Sequence, residues 1–205
     1  MHIESKFDLG SYLKPLIGMK ISPIYFKSLT IAYLPNELIL SGEDDFVVHF
    51  WDDSTNHAHY FSFKPVGVES IVGNLFGFEV KNLPAKNNKL DLSAYPTAYL
   101  LDTSGNKVEK IEIYGENGAG QIHDKDQIRF WFHSSNEMPD QISYEKKTAL
   151  LIAIQFSTKK WVYFHSGGDN DFRIFCEMHL SPEEFVQQYN YKDNYEHFCL
   201  IEALE

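Results

Sequence analysis

The chain has 205 residues, of which 43% are hydrophobic and 15% aromatic, so a disordered chain is excluded and a substantial core is expected. With 29 acidic residues against 18 basic ones the formal net charge is −11, which argues against nucleic-acid binding through phosphate neutralisation. Residues 169–205 hold nine acids and two basic residues, and therefore −7 of that charge. A field of this sign favours a basic partner.

The first half of the chain alternates β-branched and aromatic runs with turn clusters, a pattern typical of antiparallel sheets. Residues 7–17 and 68–76 have weaker helical character, because glycine or proline interrupts both segments. The polar segment 83–92 is where a division into two lobes would fall, if one exists. The predicted strands of this half cover residues 28–34, 38–40, 46–51 and 57–63.

The second half continues the strand pattern and then adds one clear helix. Ser181 can cap that helix, Pro182 suits its first position and Glu184 completes a capping box, so a helix is predicted from Ser181 to about Tyr189. Residues 195–204 are expected to form a terminal turn or helix. The predicted strands cover residues 95–101, 107–114, 127–133, 148–156, 160–165 and 171–178, with a hairpin turn at 102–106.

These elements predict a mainly β fold of the α+β class. About ten strands would form antiparallel sheets, as a sandwich or a half-barrel, within a single domain of residues 1–205. One clear helix near 181–190 and one or two short helices would accompany them.

The start of the chain and its cysteines bear on the compartment. Residues 1–6 lack the features of a signal peptide, and no apolar run reaches the ~20 residues of a membrane helix. Cys176 and Cys199 have neither metal nor redox spacing, so two free thiols are expected. These patterns favour a soluble, cytoplasmic protein that does not bind membranes.

Three histidines form the sharpest cluster of chemically active residues. If residues 46–63 form a hairpin centred near Ser54, His49 faces His59 across the strands and His57 lies on the same face. Three imidazoles on one rigid face could hold zinc and leave a fourth position open. The alternative is a half-exposed sheet face with ordinary surface histidines, and it is favoured because no established metal motif is matched.

The other candidate motifs favour structural roles. Residues 115–120 are rich in glycine but lack the Lys-Ser/Thr ending of a phosphate loop, so we interpret them as a turn after the strand ending at Tyr114. The aromatic runs 130–132 and 161–164 are interpreted as core. No catalytic motif supports an enzyme, and no cofactor is expected.

The predicted partner-binding surface combines acids with tyrosines. Residues 189–197 mix tyrosine with acids and amides and contain no aliphatic residue. That composition suits a protein-binding patch, although a surface loop packed by its own tyrosines explains it about as well. The residues predicted to contact a partner are Asp44, Asp45, Asp169, Asp171, Tyr191, Asp193, Tyr195 and Glu196.

The sequence thus favours a protein that binds and inhibits a basic partner. In being small, acidic and without catalytic motifs, the chain resembles in type the immunity proteins that neutralise bacterial toxins, many of which are basic nucleases. The resemblance implies that carboxylates meet Lys and Arg of a toxin's active site while Tyr191 and Tyr195 anchor the contact. Two alternatives stay open: a metal-dependent β-fold enzyme using His49, His57 and His59, and a β-rich structural or regulatory module.

Overall fold

A computed structural model describes residues 2–6, 9–35, 37–70, 73–101, 107–132, 139–168, 170–195 and 197–205. The strands in these ranges are β1 (His2–Lys6), β2 (Lys20–Phe26), β3 (Thr30–Leu34), β4 (Glu37–Glu43), β5 (Phe46–Asp52), β6 (His57–Ser70), β7 (Gly73–Leu83), β8 (Thr97–Tyr99), β9 (Val108–Ile122), β10 (Ile142–Phe156), β11 (Trp161–Gly168), β12 (Asp171–Met178) and β13 (Phe198–Leu204). The helices are α1 (Gly10–Leu13), a 3-10 turn (Lys14–Leu16), α2 (Lys125–Phe132), α3 (Pro182–Gln188) and α4 (Tyr191–Asn194). Among the described helices, none is long and apolar enough to cross a membrane.

The strands form two sheets. The large sheet has the order β13-β9-β10-β11-β12-β4-β3, and β1 joins it by pairing with β10 in parallel. The small sheet has the order β7-β6-β5-β2-β8. Both faces of the large sheet are covered along its centre. Strands β13 and β3 lie at the two ends of the main strand order, and β1 is a further edge strand beside β10.

The two sheets pack face to face, and phenylalanine fills the space between them. Phe46 and Phe63 of the small sheet stack with their ring centroids 5.3 Å apart. Phe46 also meets Phe164 and Phe172 of the large sheet at 5.4 Å and 4.7 Å. All four rings are buried, so this shared apolar layer stabilises the packing of one sheet on the other.

A second apolar layer lies on the outer face of the large sheet, beneath α3 and α4. Phe185 of α3 is fully buried and stacks on Tyr163 at 3.9 Å, with Phe175 at 5.0 Å. The predicted capping box is present, since Ser181 accepts a hydrogen bond from the Glu184 amide and the Glu184 carboxylate accepts one from the Ser181 amide. This cap fixes where α3 begins and so where its apolar face meets the sheet.

The segment that we considered as a boundary between lobes packs on the outer face of the small sheet. The side chain of Asn88 accepts a hydrogen bond from the Ala58 amide at 3.2 Å, and the Asn88 carbonyl accepts one from the Tyr60 hydroxyl at 3.3 Å. Leu90 and Leu92 pack against the buried Val47 and Tyr60. Residues 83–92 therefore cover the small sheet.

The mainly β, antiparallel, sandwich-like fold with few short helices is confirmed, as is the helix at Ser181. Several local predictions were wrong. Residues 125–132 form α2 where a strand was expected, and the described parts of 68–76 belong to β6 and β7 instead of a helix. The terminal segment 198–204 is a strand, because pairing with β9 satisfies its backbone groups. The expected turn at 102–106 lies outside the described residues.

The predicted turn at residues 115–120 is also wrong, because β9 continues through it. These residues pair with β10 in the register Gly115↔Ala149 to Gly120↔Tyr144. A side chain at Gly115 would overlap the Thr148 carbonyl, and one at Gly118 would overlap the ring of His197. The glycines therefore permit close approach within the sheet and do not make a turn.

Candidate binding cleft

Three of the predicted acids meet at one corner of the sandwich, which we call the corner and define by the β4–β5 and β11–β12 turns. Asp171 lies opposite Glu43 in the β12–β4 ladder. The Asp44 amide donates to the Asn170 carbonyl at 2.7 Å, which ties the two turns together. Asp169 was predicted for the same surface and lies outside the described residues. These acids were predicted because they lie in or beside turns of the sequence, and the structure brings them together.

Asp45 is bound by the protein itself. Its carboxylate pairs with the Lys27 ammonium at 2.5 Å and accepts hydrogen bonds from the hydroxyls of Tyr95 and Ser62. Burial alone would raise the pKa of Asp45, but the bonds from Lys27 and Tyr95 outweigh burial and hold that pKa below its ordinary value. The charge of Asp45 is therefore largely neutralised within the fold.

The histidine cluster depended on a register that the structure contradicts. Strands β5 and β6 do form a hairpin, but His49 lies opposite Tyr60, and His59 lies opposite Phe50. Because a shift of one residue moves a side chain to the other face, His49 lies on the outer face of the small sheet while His57 and His59 occupy the opposite face. The His49 ring stacks on Tyr60 at 4.7 Å.

Among the described residues, no group of three or more His, Cys, Asp or Glu side chains is placed to hold a metal ion. Both cysteines are free thiols, with Cys176 buried and Cys199 half-buried. Burial raises the pKa of the Cys176 thiol, so this side chain is a neutral core residue.

Tyr191, predicted as an exposed anchor, is the first residue of α4, and its side chain is buried. Its hydroxyl is hydrogen-bonded to Nδ1 of His165 at 2.8 Å, and its ring packs on Phe198 at 5.0 Å. Burial, with a smaller effect of the charge on Arg173, lowers the pKa of His165 to about 4. Tyr191 thus positions α4 over a neutral imidazole, and Tyr195 is half-buried beside it.

A cleft of about 700 Å³ opens between α3, α4 and the edge strand β13, and we call it the cleft. Its floor is apolar and comes from β9, α3 and β13, whereas its rim is polar and comes from the exposed faces of α3 and α4. The floor residues are Tyr114, Val186, Phe198, Cys199 and Leu200, and the rim residues are Glu183, Gln187, Asn190, Lys192 and Asp193.

Most acids near the cleft have a partner within the protein. Glu184 is used in the cap of α3, Glu116 pairs with Lys146, and Glu112 accepts a hydrogen bond from the Tyr114 hydroxyl at 2.7 Å. Glu183 and Asp193 are exposed, and no ion pair involving them is found within the described parts of the chain. Lys192 contributes the one positive charge of the rim.

Of the predicted surface, Asp193 belongs to the cleft rim, while Glu196 lies outside the described residues. The sequence did not indicate Tyr114, Phe198 or Glu183, because the first two are brought together only by the β9–β13 pairing. Glu183 had been explained by the helix start, where a negative charge is favourable anyway.

An apolar floor below a carboxylate rim suits a lysine or arginine side chain. The aliphatic stem of such a residue can lie on the Phe198 and Val186 surface while its charged end reaches Glu183 or Asp193. Comparison of the chain with protein-family models, with curated proteins and with solved structures found no match.

Proposed function

We propose that this protein binds a basic protein partner, with the cleft receiving a lysine or arginine of that partner. One observation carries the proposal: an apolar-floored cleft of about 700 Å³ has two exposed carboxylates, Glu183 and Asp193, on its rim. Both acids lie in the part of the chain that holds −7 of the net charge of −11. The local geometry and the wider field thus favour the same kind of ligand.

Binding would begin with electrostatic steering and end with occlusion. The long-range field attracts a cationic surface, and the cleft then holds one side chain by contact with its stem and its charged end. The partner's basic site is covered once it is seated, which inhibits any activity that needs those cations. Such an inhibitor resembles in type the immunity proteins, and the partner would be a toxin-like protein such as a basic nuclease.

The decisive experiment compares two variants of equal charge. The cleft variant carries Glu183→Gln and Asp193→Asn, and the corner variant carries Glu43→Gln and Asp171→Asn. Each removes two exposed negative charges, so both have the same net charge, and neutral amides keep side-chain size. Wild-type protein and both variants are immobilised, exposed to native cell extract and eluted with a salt gradient into mass spectrometry.

The expected result is a basic protein retained by the wild type and by the corner variant but retained weakly or not at all by the cleft variant. The purified partner should then lose its activity when mixed with wild-type protein and keep more of it with the cleft variant. Equal retention by the two variants, or loss with the corner variant alone, would refute the assignment to the cleft.

A further inference from the structure

Strand β13 ends the strand order of the large sheet, and one stretch of its backbone is open beside the cleft. The His197 carbonyl accepts a hydrogen bond from the Asn117 amide at 3.1 Å, so these two residues form a hydrogen-bonded pair at the start of the β13–β9 ladder. Hydrogen-bonded and non-hydrogen-bonded pairs alternate along an antiparallel ladder, which makes Leu200 and Tyr114 a non-hydrogen-bonded pair. The amide and the carbonyl of Leu200 therefore point away from β9, toward the free edge.

The edge is occupied on both sides of Leu200. By the same alternation the Phe198 amide points away from β9, and it donates to the Tyr195 carbonyl at 3.3 Å. After Leu200 the ladder shifts its register, and the Glu202 carboxylate lies against Gly10 of α1. No partner for the amide or the carbonyl of Leu200 is found among the described residues. The open part of the edge is thus one residue wide.

The side chain of Leu200 belongs to the cleft. It shares a face of the sheet with Tyr114 opposite, and at 48% exposure it is the most exposed residue of the cleft floor. A strand added beside β13 would lie about 4.8 Å from it, and its residue opposite Leu200 would direct a side chain to this same face. The cleft volume of about 700 Å³ falls within the range of about 300–1,000 Å³ that encloses drug-sized ligands, so there is room for that side chain.

We propose that the partner carries its lysine or arginine on an extended segment, and that this segment pairs antiparallel with β13 at Leu200. In an antiparallel pair one residue exchanges both backbone hydrogen bonds with the residue opposite, which suits an opening of one residue. That residue is the lysine or arginine. Its stem lies on Leu200 and Phe198, and its charged end reaches Glu183 or Asp193. The inference rests on the proposed function and specifies how the partner presents its cation.

Charge and hydrogen bonding both favour this occupant. Residues 169–205 hold −7 of the net charge, so a cationic segment is attracted to this edge, whereas a second copy of the chain is repelled. A folded basic surface that covered Leu200 would leave its amide and carbonyl buried without partners, which costs free energy. An extended segment supplies a donor and an acceptor at that point and avoids the cost.

A synthetic peptide is the probe for this pairing, and the isotopically labelled full chain is observed by NMR. The peptide is Ser-Val-Lys-Val-Ser with both ends capped. Two matched peptides each carry one N-methyl group, either on the backbone nitrogen of the lysine or on that of the valine after it. Each methyl group removes one amide hydrogen and keeps the charge. In the proposed pairing the lysine amide faces β13, and the valine amide faces away from it.

The unmodified peptide should bind with a dissociation constant of about 1 mM or lower and shift the Leu200 amide resonance. Methylation at the lysine should weaken binding about fivefold or more, and methylation at the valine should change it by less than about twofold. The cleft variant should bind the unmodified peptide more weakly than the wild type does. An absence of binding at about 5 mM peptide, equal weakening by the two methyl groups, or resonance shifts that exclude Leu200 would each overturn the pairing.

These outcomes separate the pairing from the proposed function. If the wild type retains a basic protein that the cleft variant loses, while the two methylated peptides bind equally, the cleft receives a folded surface and the pairing alone is wrong. If neither the retained protein nor the peptide depends on the cleft carboxylates, the proposed function fails together with the pairing.

Discussion

The corner and the cleft both gather acids on the surface, and they differ in what surrounds those acids. At the corner, Asp45 is held by Lys27, Tyr95 and Ser62, so its charge serves the fold. At the cleft, Glu183 and Asp193 are exposed above an apolar floor. The corner also holds exposed acids, Glu43, Asp44 and Asp171, so what distinguishes the cleft is the apolar floor below its carboxylates, and the count of acids alone does not locate a binding surface.

The largest expected effect comes from removing the support of the cleft wall. Phe185 is fully buried between Tyr163 and Phe175, and α3 rests on it. Phe185→Ala should lower the free energy of unfolding by about 4 kcal/mol, through lost burial and the cavity left behind. Urea unfolding followed by circular dichroism measures the change. The control Leu100→Ala, at an exposed position, should change it by less than about 0.5 kcal/mol.

The second largest expected effect is a loss of stability at acid pH, and it comes from His165, which is hydrogen-bonded to Tyr191 of α4 beside the cleft. The pKa of His165 is about 4, below the ordinary 6.5, so at a pH between those values the unfolded chain binds a proton that the folded chain does not. Stability should be full above about pH 6.5 and fall as the pH drops toward 4, by about 3 kcal/mol in total.

His165→Gln should remove this dependence, because glutamine does not titrate and can still bond to Tyr191. His123→Gln, at an exposed histidine, should leave the dependence unchanged. Thermal melting across pH 4–7 compares the three proteins. A slope that persists in His165→Gln would show that another group causes the acid sensitivity.

A smaller effect is expected at the corner. Asp45→Asn keeps the side-chain shape but leaves Lys27 without its charged partner, so stability at pH 7 should fall by about 1 kcal/mol. The pKa of Asp45 is lowered, so its stabilising contribution is lost only below the ordinary carboxylate pKa, near pH 4. The corner and His165 therefore act in separate pH windows, and chemical denaturation at pH 7, about pH 4.5 and pH 3 should distinguish them, because by about pH 4.5 most of the His165 contribution is lost while that of Asp45 is kept.

An effect of about the same size as that at the corner tests the start of α3. Ser181→Ala removes the hydrogen bond to the Glu184 amide and should cost about 1 kcal/mol of stability. Ser181→Asp should retain the cap, because an aspartate accepts the same bond. If the alanine variant were as stable as the aspartate variant in urea unfolding, the cap would not determine where α3 begins.

The sequence was most informative where local chemistry acts alone. The capping box at Ser181 and the strand runs of β5, β10 and β12 follow from spacing within one segment. The β5–β6 hairpin was predicted, but its register was not, and one residue of error placed His49 with His59 when it lies opposite Tyr60. Register depends on which face packs against the second sheet, and a single segment does not contain that information.

The cleft was harder to predict for the same reason. Its floor contains Tyr114 and Phe198, which are far apart in the sequence. They meet because β13 pairs with β9 in the large sheet. The glycines of β9 were interpreted as a turn. Their actual role, which is to let the strand approach Thr148 and His197 closely, is apparent only in the folded sheet. Asp193 was predicted from the unusual composition of residues 189–197, which is a local signal.

The rate of association with the captured basic partner shows whether the cleft, and not the corner, is the binding site. It should be measured by stopped-flow fluorescence from about 50 mM to about 500 mM salt for the wild type, the cleft variant and the corner variant. We predict steep, equal decreases with salt for the wild type and the corner variant, and a slower rate with a shallower slope for the cleft variant. Identical slopes for the two variants, or a defect confined to the corner variant, would contradict the cleft as the binding site.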